Sequence, residues 1–151
     1  MQSINRHVSL LFRMGERYVN RKLAGSGVSS GTGILLIELR DGGDRNPTAL
    51  AAAVGVDKSH ITRSLQALKQ AGHVVVNPGT ADGRTLTVSL TAQGRIAAGL
   101  MEEAMLSWIA IVGKGVSRDD LATVGAVFDT FYTNAVEYFT VDPIRQNSCN
   151  S

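Results

Sequence analysis

Residues 47–68 decide the fold, and they read PTALAAAVGVDKSHITRSLQAL. Pro47 suits the first turn of a helix because its ring fixes φ at a helical value. The alanine-rich run that follows propagates the helix, and Gly55 is expected to end it at a tight turn with positive φ. Asp57 is a good N-cap for a second helix, which we predict over residues 58–71. Two helices joined by so short a turn are typical of a helix-turn-helix.

Small and apolar residues in this stretch predict how the two helices pack. Ala51 is small where the second helix would cross the first, and Ile61, ten residues later, would pack the second helix back onto it. Ile61, Leu65 and Leu68 share one side of the second helix at helical spacing. Ser64 departs from the pattern, since such helices usually carry another apolar residue there.

The opposite side of the second helix is polar and is the candidate DNA-reading surface. Its side chains can donate and accept hydrogen bonds at base edges in the major groove, and those near the helix start can reach phosphates. Any solvated helix face shows the same polarity, but a helix-turn-helix followed by a hairpin favours DNA. The predicted contacts on this helix are Lys58, Ser59, His60, Thr62, Arg63 and Gln66.

A β-hairpin is predicted directly after the helix pair. Residues 74–76 are three valines, residues 77–83 have the composition of a turn, and apolar residues alternate with polar ones over residues 86–90. A hairpin in this position is the wing of a winged helix-turn-helix.

The flanking segments are predicted to be helical. Residues 3–23 form an amphipathic helix, a glycine-rich connection follows over residues 25–33, and residues 34–40 favour helix over strand. Thr91 caps a helix running to about Val112, and residues 117–140 form the last helix, followed by a frayed polar tail over residues 143–151. The apolar stripes of the first and last helices are too wide for a small winged-helix core, which predicts a homodimer. The open alternative is that they close a monomeric core.

Local motifs give a resemblance to a known family. They are Leu50-Ala51, Gly55-Val56-Asp57-Lys58-Ser59, Leu68 with Gly72, Asp82-Gly83-Arg84, and Leu90-Thr91 with Gly94. With the order of elements, they resemble the multiple-antibiotic-resistance regulator (MarR) family over residues 4–140. The resemblance implies a mainly α fold with a small β-hairpin wing, as a single domain spanning residues 1–151. Its DNA-binding lobe would be residues 34–90, and its dimerisation helices residues 3–23 and 91–140.

The resemblance also implies a function. It would be a cytoplasmic transcription regulator, expected to be a repressor, binding a near-palindromic operator on double-stranded DNA as a homodimer. In the family, the wing aspartate orients an arginine that enters the minor groove, which carries over to Asp82 and Arg84. Family members often bind a small aromatic acid, and weak candidates to bind such an anionic effector are His7, Arg13, Arg17 and Tyr18, although a solvated face explains these residues better.

Composition and charge narrow the function classes. Apolar residues make up 44% and charged residues 19%, as in ordinary globular proteins, and no apolar run is long enough to span a bilayer. No signal peptide is evident, so we expect a cytoplasmic protein with no membrane partner. Residues 1–25 carry five basic residues and one acidic residue, whereas residues 91–142 carry three basic and seven acidic ones. This asymmetry fits a polyanion partner but does not establish one.

Enzymatic and cofactor chemistry find little support in the sequence. Residues 27–31 match the G-x-S-x-G sequence motif of a nucleophile elbow. That motif follows a buried strand, whereas a charged helix is predicted before these residues. The three histidines lack metal-ligand spacing, so we expect no metal and no cofactor. The single Cys149 allows no internal disulfide, and its role stays open. The alternatives to DNA binding are a winged helix that contacts proteins and, more weakly, a small enzyme.

Overall fold

The computed structural model describes residues 2–79 and 85–141. The chain forms two compact units, one up to Ile111 and one from Val112 onward. In order, the elements are α1 (Gln2–Lys22), α2 (Ser30–Gly42), α3 (Pro47–Val54), α4 (Lys58–Gln70), β1 (Val74–Pro78), β2 (Leu86–Leu90), α5 (Ala92–Val112) and α6 (Arg118–Val141).

The core of the first unit lies where α2, α3, α4 and the hairpin meet. Leu36 of α2, Leu50 of α3 and Leu68 of α4 are completely inaccessible to solvent. Val74 and Val88 close the core from the two strands. Each apolar side chain of this size contributes roughly 1.5–3 kcal/mol on burial. The predicted mainly α fold with a helix-turn-helix and a hairpin is confirmed.

Helix α2 begins earlier than the sequence suggested. The glycine-rich connection was expected to extend to residue 33, but the helix starts at Ser30. Ser29 is the N-cap: its hydroxyl accepts from the Thr32 amide at 3.2 Å, and its own amide donates to the Thr32 hydroxyl at 2.9 Å. This reciprocal capping box satisfies two backbone donors and offsets the low helix propensity of the glycines that follow.

The two strands pair antiparallel, from Val74 opposite Leu90 to Pro78 opposite Leu86. Asn77 and Pro78 therefore extend the first strand, whereas the sequence placed them in the turn. Pro78 is tolerated because it lies at the end of a two-stranded edge, where a missing N–H costs little. Of the rest of the predicted turn, Gly79 directly follows the strand, and residues 80–83 lie outside the described residues.

The junction between the hairpin and α5 depends on one close approach. The Thr91 hydroxyl caps α5 by accepting from the Gly94 amide at 2.9 Å and donates to the Gly72 carbonyl at 2.7 Å. The His73 carbonyl accepts from the Thr91 amide at 3.1 Å. The backbone of Gly94 then lies so close to that carbonyl that a Cβ would overlap its oxygen.

A buried histidine joins the same junction to the connection between α1 and α2. The side chain of His73 is 2% exposed, and its Nε2 lies 2.8 Å from the carbonyl oxygen of Ser26. Because a carbonyl can only accept, Nε2 is the donor of this bond. His73 is thus part of the core of the first unit.

An ion pair fixes α2 against α5. The guanidinium of Arg40 binds both carboxylate oxygens of Glu102, at 2.8 and 3.1 Å. Such paired contacts restrict orientation more than a single one does. Helix α2, which packs against both helices of the helix-turn-helix, is therefore joined to α5 by a charged contact as well as by the apolar core.

Much of the apolar surface of α1 and α6 is exposed. Val19 of α1 and Leu23, directly after the helix, are buried, but Ile4, Leu11 and Phe12 earlier in the helix are not. Residues 118–139 of α6 are all exposed, including its aromatic side chains. No helix within residues 2–79 and 85–141 is both long and apolar enough to cross a membrane.

Candidate nucleic-acid interface

The turn between α3 and α4 is built by its two capping residues. Gly55 has φ 69° and ψ 33°, the left-handed conformation that glycine adopts most easily, and its amide bonds back to α3. Asp57 is the N-cap of α4, and its carboxylate accepts from the amide of His60 at 2.7 Å.

The strength of the Asp57 cap depends on whether its carboxyl group is ionised. The bond from the His60 amide holds the pKa of the Asp57 carboxyl below its usual value. The carboxylate also faces the positive end of the helix dipole. Its contribution is complete above the usual aspartate pKa of about 3.9 and is lost as the pH falls through the lower folded-state pKa.

Helix α4 separates a buried side from an exposed one. Ile61, Ser64, Leu65 and Leu68 are buried against the core. The exposed side chains include a polar set along the first three turns. They are the six predicted contact residues, Lys58, Ser59, His60, Thr62, Arg63 and Gln66.

Two exposed residues of α4 bond back onto the helix. The Thr62 hydroxyl donates to the Lys58 carbonyl at 2.8 Å, so its methyl group is the part of the side chain left for outside contacts. The Nε of Arg63 lies 3.4 Å from the Ser59 carbonyl, a long bond. Within the described part of the chain this is the one hydrogen bond of Arg63, so its guanidinium retains most of its donor capacity.

Ser64, the residue that breaks the apolar pattern, is 7% exposed and pairs with a neighbour on the same helix. Its Oγ lies 3.4 Å from Nδ1 of His60, one turn earlier. A polar residue can occupy this position because its hydroxyl has a partner at the edge of the core.

The wing is described only at its base. Asp82 and Arg84 lie outside the described residues, so their predicted roles stay predictions. At the base, the backbone of Arg45 pairs with Val88 in both directions, at 3.2 and 2.8 Å, and adds a third short segment to the sheet. An open cavity of about 210 Å³ lies beside it. Its lining is Asp44, Arg45, Asn46, Gly79, Thr85, Leu86 and Thr87.

Arg45 is a basic residue near the wing that the sequence did not single out. It follows an Asp-Gly-Gly-Asp run that reads as an ordinary turn, and a bridge of one residue leaves no alternation to detect. The sequence feature that could have identified Arg45 is its position directly before the N-cap of the helix-turn-helix.

The four candidate effector residues line neither the cavity beside the wing nor a second one near the end of α1. His7, Arg13 and Arg17 are exposed along α1. Tyr18 packs on Trp108 of α5, with ring centres 5.6 Å apart, and Lys22 lies 5.8 Å from the Tyr18 ring centre. A cavity of about 140 Å³ nearby contains none of the four in its lining. Its lining is Lys22, Leu100, Glu103, Ala104 and Ser107.

Solved structures share this fold across most of the chain. A MarR transcriptional regulator from Methanosarcina mazei has a TM-score of 0.84 at 22% identity, covering 91% of this chain and 99% of its own. A MarR protein from Peptoclostridium difficile has a TM-score of 0.83 at 22% identity and covers 91% of both chains. A cysteine-to-serine variant of MarR from E. coli, complexed with operator DNA, has a TM-score of 0.75 at 21% identity, covering 85% of this chain and 93% of its own.

These likenesses establish the fold. No family model matches the sequence. No curated protein matches it either. The chain has the fold of MarR transcriptional regulators, and the resemblance drawn from its motifs is confirmed at that level.

Proposed function

We propose that the chain is a sequence-specific, double-stranded DNA-binding transcription regulator that acts as a repressor. The observation that carries the proposal is the exposed polar face of α4. This helix is the second of a helix-turn-helix, and the second helix of that motif enters the major groove with its N-terminal residues at the base edges. The test is direct binding of the purified protein to the DNA upstream of its own coding sequence.

The charge of α4 supports this assignment. Its thirteen residues include Lys58, Arg63 and Lys69 and no carboxylate, and all three cations are exposed. A helix without acidic residues can approach the phosphates on both sides of the groove without repulsion. A helix that binds proteins would instead expose apolar anchors.

The wing extends the proposed interface into the minor groove. On the MarR resemblance, Arg84 enters that groove and Asp82 orients it. A narrow minor groove concentrates negative potential and attracts an inserted arginine. Arg45 adds a positive charge at the base of the hairpin, where its guanidinium lies 3.9 Å from the Glu38 carboxylate. We propose that the wing contributes affinity and groove-width preference, while α4 reads the bases.

We propose that the protein binds as a homodimer. The exposed apolar side chains of α1 and α6 form faces that a second copy would cover, and isolated surface residues do not explain patches of this extent. A two-fold dimer would present two α4 helices about one DNA turn apart, roughly 34–36 Å, and so require a near-palindromic operator. On α6 the apolar residues recur every three or four positions. They are Leu121, Val124, Phe128, Phe131, Ala135 and Phe139.

A charge placed in the α6 stripe should weaken the dimer. Phe131, 56% exposed and paired edge-to-face with Phe128, is central to that stripe. We expect Phe131→Asp to raise the dimer dissociation constant about tenfold or more, because an interface would have to bury a carboxylate.

Thr133→Asp is the matched control, since helical spacing places it on the opposite side of α6. Light scattering over a concentration series measures both. A wild-type monomer at micromolar concentration, or equal weakening by both variants, would contradict this dimer.

Release of the DNA by a small aromatic or anionic effector stays a prediction from the resemblance. The exposed cations of α1, Arg13 and Arg17, could attract an anion in this role, and Tyr18 beside Trp108 supplies an aromatic surface. The described residues place these groups on the surface of the first unit.

A further inference from the structure

The His60–Ser64 pair extends the proposed function to a specific base preference. His60 occupies the first turn of α4, on the edge of its exposed face, and Ser64 lies directly beneath it on the buried side. In helical projection His60 is between the buried stripe and the outermost residues, so its ring can turn either way. A contact to Ser64 selects one orientation.

The hydrogen bond also selects a tautomer. Many serine and threonine hydroxyls in helices donate to the carbonyl one turn earlier, as Thr62 does here. Ser64 does not: within the described residues, the one partner of its Oγ is Nδ1 of His60, at 3.4 Å. A buried hydroxyl proton needs an acceptor, and the bare Nδ1 of a neutral imidazole is one. With the Ser64 hydroxyl as the donor, Nδ1 is unprotonated and the ring proton is on Nε2.

We propose that Ser64 is a positioning residue for DNA recognition, holding His60 with its Nε2–H as a donor for one base in each half-site. The inference rests on the proposed function. Among the bases, guanine presents two adjacent acceptors and no donor along its major-groove edge, whereas adenine and cytosine present an amino group and thymine a methyl. A single N–H donor is therefore best matched by guanine.

The length of the bond limits its energetic role. At 3.4 Å it is near the outer limit for a hydrogen bond, so its loss should change the orientation of the ring more than the stability of the fold. Ser64→Ala removes the hydroxyl, keeps the small volume and raises helix propensity. It should melt at or above the wild-type temperature, so a change in its DNA preference would not result from a loss of stability.

The test is selection from a pool of randomised DNA duplexes, with the full-length wild type and three variants in parallel. We expect the wild type to select guanine at one position of each half-site, and both His60→Ala and Ser64→Ala to lose that preference at the same position. Affinity for the wild-type site should fall about three- to tenfold in each. The double variant should bind no more weakly than the weaker single one, because the two residues act as one unit. Arg63→Ala is the matched control and should relax a different position.

Several results would overturn this role. One is a Ser64→Ala preference identical to that of the wild type, and another is a preference relaxed at a position that His60→Ala leaves intact. His60 is exposed, so its alanine variant folds and tests the base preference independently of Ser64; an unchanged guanine preference in that variant also contradicts the proposal. A wild-type protein that selects no sequence would instead overturn the proposed function itself, which separates the two failures.

Discussion

Replacing Gly94 by alanine is expected to lower the free energy of unfolding by about 3 kcal/mol, the upper end of the usual cost of overpacking. The added methyl would overlap the His73 carbonyl oxygen and lie 3.0 Å from the Leu90 side chain. The carbonyl cannot retreat without losing its bond from the Thr91 amide at 3.1 Å. Helix α5 would have to shift away from the hairpin at its first turn.

Gly99→Ala is the matched control on the same helix. A Cβ at Gly99 meets nothing within 4 Å, so the variant should gain about 0.5–1 kcal/mol, the usual advantage of alanine over glycine within a helix. Chemical denaturation followed by ellipticity compares the two directly. Equal stabilities for Gly94→Ala and Gly99→Ala would show that the junction between β2 and α5 is not as tightly packed as described.

Removing the Arg63 side chain is expected to weaken specific DNA binding by about 1–3 kcal/mol, or roughly five- to 150-fold. The guanidinium is exposed on the outer face of α4, and its single long bond to the Ser59 carbonyl leaves it available to a guanine. Because the buried side of α4 is untouched, Arg63→Ala should unfold at the wild-type denaturant concentration.

Lys69→Ala separates base reading from charge. It removes one positive charge from the same helix, but in the last turn, where a side chain is farther from the base edges. Its loss should lower affinity for specific and unrelated DNA alike, and by less than Arg63→Ala lowers specific affinity. Titrations at one fixed salt concentration compare them. If Arg63→Ala kept the wild-type affinity for the specific duplex, the DNA-reading face of α4 would be assigned incorrectly.

The helix-turn-helix could be predicted because its determinants are local. Gly55 and Asp57 act within four residues of their own positions, and the spacing of Ile61, Leu65 and Leu68 specifies one buried side whatever packs against it. The polar face of α4 follows from that stripe by geometry. For the same reason the six candidate residues on α4 could be named in advance and are all exposed.

Other features depend on groups distant in sequence and left no local pattern. The Arg45–Val88 bridge joins residues 43 positions apart, and the bond from His73 to Ser26 joins residues 47 apart. The start of α2 is an exception of another kind, because its signal was local. Ser29 and Thr32 have the spacing of a capping box, but the surrounding glycines favour a loop and so predict a later start of the helix. Ser64 breaks the apolar pattern of α4, and the pattern alone does not show that its hydroxyl contacts His60.

The most direct test of DNA binding is a gel shift of the purified full-length protein with the DNA upstream of its own coding sequence. A scrambled duplex of equal length and composition is the control. We expect a discrete complex with the upstream duplex at nanomolar protein and at least a thousandfold weaker binding to the scrambled one. The specific complex should also weaken steeply as salt increases, because phosphate contacts release counterions. Equal affinity for both duplexes, or no complex at micromolar protein and low salt, would contradict the proposal that α4 reads DNA.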